Sequence, residues 1–207
     1  MKYTVEMIGT LFLVFTIGTA VRGGNPLAPL AIGAVLMAMV YAGGHISGAH
    51  YNPAVTLAVL VRRRIDVRDA IGYLVAQIVG GLVASALVSA VAPAQTSPMN
   101  LSGHGLIAAF IAELFVTFAL CYVVLNVATS KDHPDNSFYG LAIGFTVAAG
   151  AVAVGGISGG SFNPAVAIAG VAIGMFSGSM IWMFFAAQAI AAVAAGLAFR
   201  TLNPADK

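Results

Sequence analysis

Apolar residues run along this chain in six long stretches, near Tyr3 to Val21, Leu27 to Gly43, Asp69 to Val91, Gly105 to Ala128, Ser137 to Gly156 and Phe176 to Thr201. A helix crossing a hydrocarbon core of roughly 30 Å needs about 20 residues, so the pattern predicts six membrane spans and an all-α membrane protein. The second stretch is short and flanked by glycine. The first is interrupted by Glu6 and has no small-residue cleavage site before Arg22, so it reads as a retained span and not as a signal peptide.

The connections between the spans carry a repeat. Ile46-Ser47-Gly48-Ala49-His50-Tyr51-Asn52-Pro53-Ala54-Val55 returns 111 residues later as Ile157-Ser158-Gly159-Gly160-Ser161-Phe162-Asn163-Pro164-Ala165-Val166, with seven of ten positions identical. Asn is a strong N-cap and Pro is tolerated at the first helical position, so each copy starts a helix at Asn-Pro. The repeat extends into the spans: Glu6-Met7-Ile8-Gly9-Thr10 is matched by Glu113-Leu114-Phe115-Val116-Thr117, and Ala76-Gln77 by Ala187-Gln188. The chain is read as one domain over 1–207, made of two three-span units at about 1–98 and 99–207.

Three spans per unit make the second unit enter the membrane from the opposite side, which is inverted-repeat symmetry about an axis in the membrane plane. Each Asn-Pro helix, from Pro53 to about Val61 in the first unit, is around nine residues or roughly 14 Å long, half of what a crossing needs. Non-helical backbone at membrane depth is tolerated only where it is buried in protein or lines a watery cavity. The glycine-rich lead-ins, Gly43 to His50 and Gly155 to Ser161, are expected to be such backbone. Two half-helices should then meet at the midplane with Asn52 and Asn163 at their tips.

Composition agrees: 60% of the residues are hydrophobic, 8% are charged and the mean hydropathy is +0.97, against about 25% charge in a soluble domain. A lone cysteine, Cys121, excludes a disulfide framework or cysteine metal site within the chain. With no His-Glu-X-X-His spacing and no convergent nucleophile and base, neither a metal, a cofactor nor an enzyme is expected. With the N-terminus inside, Lys2, Arg62, Arg63, Arg64, Arg68, Lys131, Arg200 and Lys207 all fall on the cytoplasmic side and only Arg22 outside, a positive-inside bias that places both termini in the cytoplasm. The Arg62 to Arg64 run reads as a headgroup anchor and says nothing of nucleic acid. Short loops without targeting extensions suggest a prokaryotic plasma membrane.

Two helix N-termini facing one another each bring about half a positive charge to the midplane, which repels cations. The Asn52 and Asn163 amides can donate to the oxygen of a passing water and orient it, which interrupts a proton wire. For Glu6 and Glu113, two roles stand: a proton relay in a transporter, or an acceptor for the backbone of the re-entrant loops. Their equivalence in the two units favours the second. His45 reads as a packed structural residue in preference to a gate, and Gln77 and Gln188 as interior polar glue, within or between protomers. Gly72, Gly80, Gly81, Ala191 and Ala192 read as residues that let helices cross closely.

The doubled Asn-Pro-Ala (Asn52, Pro53, Ala54 and Asn163, Pro164, Ala165), the Ser-Gly before each, the two glutamates and the six-span inverted repeat together resemble the aquaporin, or major intrinsic protein, family over essentially the whole chain. The resemblance implies a right-handed six-helix bundle with two re-entrant half-helices and a homotetramer with one pore per protomer. It implies a ladder of pore carbonyls at Gly48, Ala49, His50 and Tyr51 and at Gly159, Gly160, Ser161 and Phe162, and a loop-supporting role for Glu6 and Glu113. It also implies an outer constriction at Ile32, Ala151, Gly160 and Val166. The chain departs from the family at Val166, where an arginine normally follows Asn-Pro-Ala, so the constriction is expected to be apolar and wide. Ala167 stands where the glycerol-conducting branch has Asp. The function expected is a passive channel for water and other small neutral solutes. The alternatives are a wide-filter channel mainly for ammonia, urea, glycerol or hydrogen peroxide, an alternating-access transporter, or a non-conducting protein closed by its apolar ring.

Overall fold

A computed structural model describes residues 1–93 and 97–206. Lys207, counted above with the basic residues, lies outside them. The helices are α1 (Lys2–Arg22), α2 (Ala28–Ser47), α3 (Pro53–Val61), α4 (Val67–Val91), α5 (Gly103–Thr129), α6 (Tyr139–Ser158), α7 (Pro164–Ala172) and α8 (Ile181–Leu202), with a 3₁₀ turn at Gly178–Met180 before the last. Six of them are long and apolar enough to cross a membrane, and α3 and α7, at nine residues each, are not. Each expected span is present; α2, α6 and α8 start one, two and five residues later than expected, α4 ends at the expected Val91, and the remaining ends extend one to four residues past the expected limits. The largest extension is α2, which carries on to Ser47.

That extension corrects the reading of the lead-ins. Gly43 to Ser47 stays helical in α2 and Gly155 to Ser158 stays helical in α6. At membrane depth every N–H and C=O needs a partner, so the helix persists until a residue can turn out of it. Gly48 and Gly159 do so at φ 83° and 86°, the left-handed region that favours glycine, each donating its N–H to the carbonyl four residues back. Of the two re-entrant segments, only residues 48–52 and 159–163 lie outside helices.

The two units pack alike. In the first, α1 lies against α2 and α4; in the second, α5 lies against α6 and α8. Each half-helix leans on the other unit, α3 on α8 and α7 on α4, and α2 meets α6 and α3 meets α7 across the symmetry axis. Gly80 crosses α1 so closely that a Cβ there would sit 2.4 Å from the Met7 carbonyl oxygen. The anticipated close crossing there is present, and Ala191 and Ala192 are fully buried at the equivalent crossing.

One end of the bundle is basic and tied together through its buried Arg62. The Arg62 guanidinium donates to the Thr129 carbonyl and hydroxyl and to the Asp206 carbonyl, and lies 4.2 Å from the centre of the Phe199 ring. Its NH2 is 2.8 Å from the Asp206 carboxylate, which also takes Arg64 and the Lys131 N–H. Arg62 and Arg64 thus clasp the segment at Asp206 onto the loop after α5, and Arg62, buried there, is not the headgroup anchor expected of it. Burial pushes the Asp206 carboxyl up, but the Lys131 N–H and the two guanidinium groups outweigh it and hold the pKa at about 2. A carboxylate depressed below its unfolded value of about 3.9 contributes stability that is present above that value and is lost as pH falls through the folded pKa. Acidification from about pH 5 to about pH 2 should therefore lower the melting temperature of the wild type more than that of Asp206→Asn. Equal losses in circular-dichroism melts would show that the clasp adds nothing.

Candidate functional site

Each re-entrant loop is held by one buried carboxylate. Glu6 accepts hydrogen bonds from the Ser47 hydroxyl, the His50 and Tyr51 N–H groups and the Gln77 amide, at 2.7–2.9 Å. Glu113 takes the equivalent four from Ser158, Ser161, Phe162 and Gln188. Buried donors need acceptors, and a carboxylate with two oxygens can serve all four. Both glutamates are fully buried. Gln77 and Gln188 are therefore glue within the protomer.

The carboxylates sustain backbone that side chains resist. Gly48, Ala49 and Tyr51 have φ of 83°, 51° and 50°, and Gly159, Gly160 and Phe162 have 86°, 66° and 50°. A left-handed residue other than glycine costs roughly 1–2 kcal/mol, so the first loop is the more strained. The Tyr51 hydroxyl anchors it by donating to the Met39 carbonyl.

Asn52 and Asn163 cap their half-helices as expected. The Asn52 side-chain oxygen accepts from the Ala54 N–H, and that of Asn163 from those of Ala165 and Val166. The amide nitrogens also reach across. Asn52 Nδ2 donates to the Phe162 carbonyl and Asn163 Nδ2 to the Tyr51 carbonyl, both at 2.9 Å. Each amide thus has one N–H engaged and one left. The carbonyls of Tyr51 and Phe162 join the two loops as well as bordering the cavity.

That cavity is a neck of about 30 Å³ lined by 18 residues. All of them fall into nine pairs related by the repeat: Leu13 with Leu120, Ile17 with Val124, Ile32 with Ile143, Leu36 with Val147, Ala49 with Gly160, His50 with Ser161, Tyr51 with Phe162, Asn52 with Asn163 and Val55 with Val166. At about 10–15 Å³ for each water, only a short single file fits. The neck lies between two wider cavities. One, of about 650 Å³ at the basic end, shares His50 and Val124 with it; the other, of about 590 Å³ at the distal end, shares Ile17, Ile32 and Gly160.

Of the four expected constriction residues, the neck brings together Ile32, Gly160 and Val166. Ala151 lines the distal cavity together with Ile32 and Gly160, which border both spaces, one turn past Val147 on the α6 stripe. Of the expected carbonyl positions, Ala49, His50, Tyr51, Gly160, Ser161 and Phe162 border the neck, with Gly48 at the basic cavity and Gly159 at the distal one. His45 departs from expectation. It is exposed on α2, because the helix turns Val40, Gly43 and Ser47 inward. Apart from Ile32, the apolar wall from α1, α2, α5 and α6 was missed, although carrying the offsets of the glutamates and of the loops along the spans pairs its members. Among the described residues no three His, Cys, Asp or Glu side chains converge as a metal site requires.

Six spans enclosing two half-helices, which meet at a neck between two open cavities, define a membrane channel. The sequence pattern of the family described as "Major intrinsic protein" matches residues 1–199, and the chain belongs to that family. It is 42% identical over 219 residues to glycerol uptake facilitator protein-like 6 of Lactiplantibacillus plantarum, covering 99% of each chain. It is 33% identical over 218 residues to nodulin-26 of Glycine max, covering all of this chain and 79% of that one. Its fold matches the X-ray structure of the aquaglyceroporin from Plasmodium falciparum with a TM-score of 0.82 at 20% identity, over 99% of this chain and 97% of that one.

Proposed function

We propose that residues 1–207 form one channel unit that passes water and other small neutral solutes down their gradients, with Asn52 and Asn163 as its central pair. The observation that carries this reading is the neck itself, a lumen of single-file width walled by nine symmetry pairs and open to a wide cavity at each end. The remaining amide N–H of each asparagine holds a passing oxygen at the midplane, and the facing N-termini of α3 and α7 repel cations there. The carbonyls of residues 48–50 and 159–161 accept hydrogen bonds on either side.

Glu6 and Glu113 act as loop supports. Four donors each leave neither carboxylate as an unpaired coupling site, which weighs against the alternating-access transporter. The basic end is cytoplasmic by the positive-inside rule, both termini lie there, and the membrane is the plasma membrane of a prokaryote. The channel assembles as a homotetramer with a pore in each protomer. Chemical cross-linking in native membranes should give a four-protomer band.

Stopped-flow light scattering on proteoliposomes tests the channel. Water permeability well above that of empty vesicles, with a low activation energy, is expected; background permeability from folded protein would sink it. Val166 is 3% exposed and faces the neck with Ile32 and Gly160. Arginine there adds a fixed cation and up to five donors. Val166→Arg should lower glycerol and urea permeability relative to water by about tenfold, the equivalent of about 1.4 kcal/mol. Unchanged ratios would show that Val166 does not border the selective part of the lumen.

A further inference from the structure

Three arginines at the basic end take no part in the clasp. Arg63, Arg68 and Arg200 are exposed, and among the described residues their guanidinium groups make a single hydrogen bond, a long one of 3.5 Å from Arg200 to the Val61 carbonyl. The carboxylates nearby are engaged elsewhere: Asp66 caps α4, Asp69 takes Lys2 and Tyr3, and Asp206 takes Arg62 and Arg64.

Arg63 is also strained. It ends α3 at φ 69°, donating its N–H to the Leu60 carbonyl, and the repeat places Gly174 at the equivalent end of α7, at φ 76° and donating to the Val171 carbonyl. Glycine adopts that conformation freely and arginine does not. The repeat offset of 111 likewise sets Ser179 opposite Arg68 and Ser89 opposite Arg200. The frame is shared, and the charges belong to one end. A side chain kept in the left-handed region, where the other copy uses glycine, points to a use for that side chain.

An apolar groove of about 350 Å³ leads to these arginines between α3, α4, α7 and α8. Pro53 and Pro164 lie at its midplane end, and Leu60 and Val67 at its basic end. From Val67 to Ile78 it runs roughly 16 Å at 1.5 Å per residue, half of a hydrocarbon core of about 30 Å. The groove is one leaflet deep. A helix of that length, about 10 Å across, would need roughly 1,200 Å³, so the space suits a single acyl chain. It has no mirror image at the distal end, since Val171 and Trp182, the equivalents of Leu60 and Ile71, do not line it. At the basic end Arg63 follows Leu60 by three residues, and Arg68 precedes Ile71 by one turn on the exposed face of α4. Arg63 and Arg200 border one further cavity, of about 560 Å³, with Leu197. There α3 lies so close on α8 that a Cβ on Gly196 would sit 2.6 Å from the Val61 side chain.

We propose that this is a binding site for one anionic phospholipid of the leaflet at the basic end. Its phosphate is held by Arg63 and Arg200 with Arg68 beside them, and one acyl chain lies along Leu57 and Leu60, on the outer side of the half-helix that Asn52 caps. Guanidinium groups match phosphate with paired donors. Three cations without protein counter-charges favour a headgroup that brings no cation of its own. The site is independent of what the lumen passes, and no permeation measurement enters its test.

Native mass spectrometry of the full chain in detergent, titrated with phosphatidylglycerol or phosphatidylcholine, reads the binding. One phosphatidylglycerol per protomer should be retained, in preference to phosphatidylcholine; equal retention of both overturns the proposal. At about fivefold for each basic residue near a lipid surface, Arg63→Gly should weaken phosphatidylglycerol about fivefold. Adding Arg68→Gln and Arg200→Gln should bring the loss to roughly hundredfold. Ala189→Trp fills the midplane part of the groove from its exposed position on α8 and should cost about tenfold, the equivalent of two buried methylenes. Undiminished binding to that variant, or displacement of the lipid by excess inorganic phosphate, would show an anion site without a chain and overturn the proposal. Arg63→Gly relieves the left-handed strain, so in lipid-free detergent it should melt no lower than wild type. A lower melting temperature would mean that Arg63 braces the fold, and would likewise overturn the assignment.

Discussion

Glu113→Leu should abolish permeation and lower stability by at least about 4 kcal/mol, since four buried donors each lose an acceptor at about 1–3 kcal/mol apiece and such losses overlap. The leucine cannot take the Ser161 and Phe162 N–H groups, whose bonds to Glu113 are 2.9 and 2.8 Å. Phe162 then has nothing to hold it at φ 50°. As that loop relaxes, its carbonyl moves away from Asn52 Nδ2, and the tie between the two loops breaks. Glu6→Leu should do the same from the other side, with a greater effect because Ala49 and Tyr51 both sit in the left-handed region there. Glu113→Gln, which keeps an oxygen but brings an amide among donors, should fall between. Thermal melts in detergent and water flux in vesicles measure both effects. A leucine variant that melts and conducts like wild type would remove the glutamates from the account of the loops.

A second large effect is expected where α2 and α6 cross. A Cβ on Gly144 would lie 2.4 Å from the Gly33 carbonyl oxygen, and one on Gly33 would lie 2.6 Å from that of Gly144. Both obstacles are backbone and cannot rotate away, so Gly144→Val must push the helices apart. Overpacking of this kind costs about 1–3 kcal/mol and at times more; with a branched side chain against backbone we expect about 3 kcal/mol. The effect should reach the lumen, because these helices carry Ile32, Leu36, Ile143 and Val147 to its wall. The variant should melt early and, where it folds, discriminate glycerol from water less than wild type. Wild-type melting and selectivity together would mean that the crossing is looser than the geometry requires.

Gly33 and Gly144 illustrate what the chain did not reveal on its own. Both lie inside apolar runs rich in glycine, where nothing local separates a glycine at a helix crossing from one facing lipid. Gly80 was legible only as one of several small residues on its span. His45 was misread for a related reason: closeness to the loop in sequence suggested packing, but α2 continues through it and its phase turns it outward.

By itself the sequence determined the membrane class, the six spans, the inverted pairing of two units, the half-helices starting at Asn52 and Asn163, and the matched glutamates. These follow from composition, from capping chemistry and from an internal repeat, all of which act over short stretches or compare the chain with itself. Tertiary structure alone decided which residues face the lumen and that each asparagine spends one N–H on the opposite loop. Those depend on several distant segments meeting at hydrogen-bond distance, which no local stretch of sequence encodes.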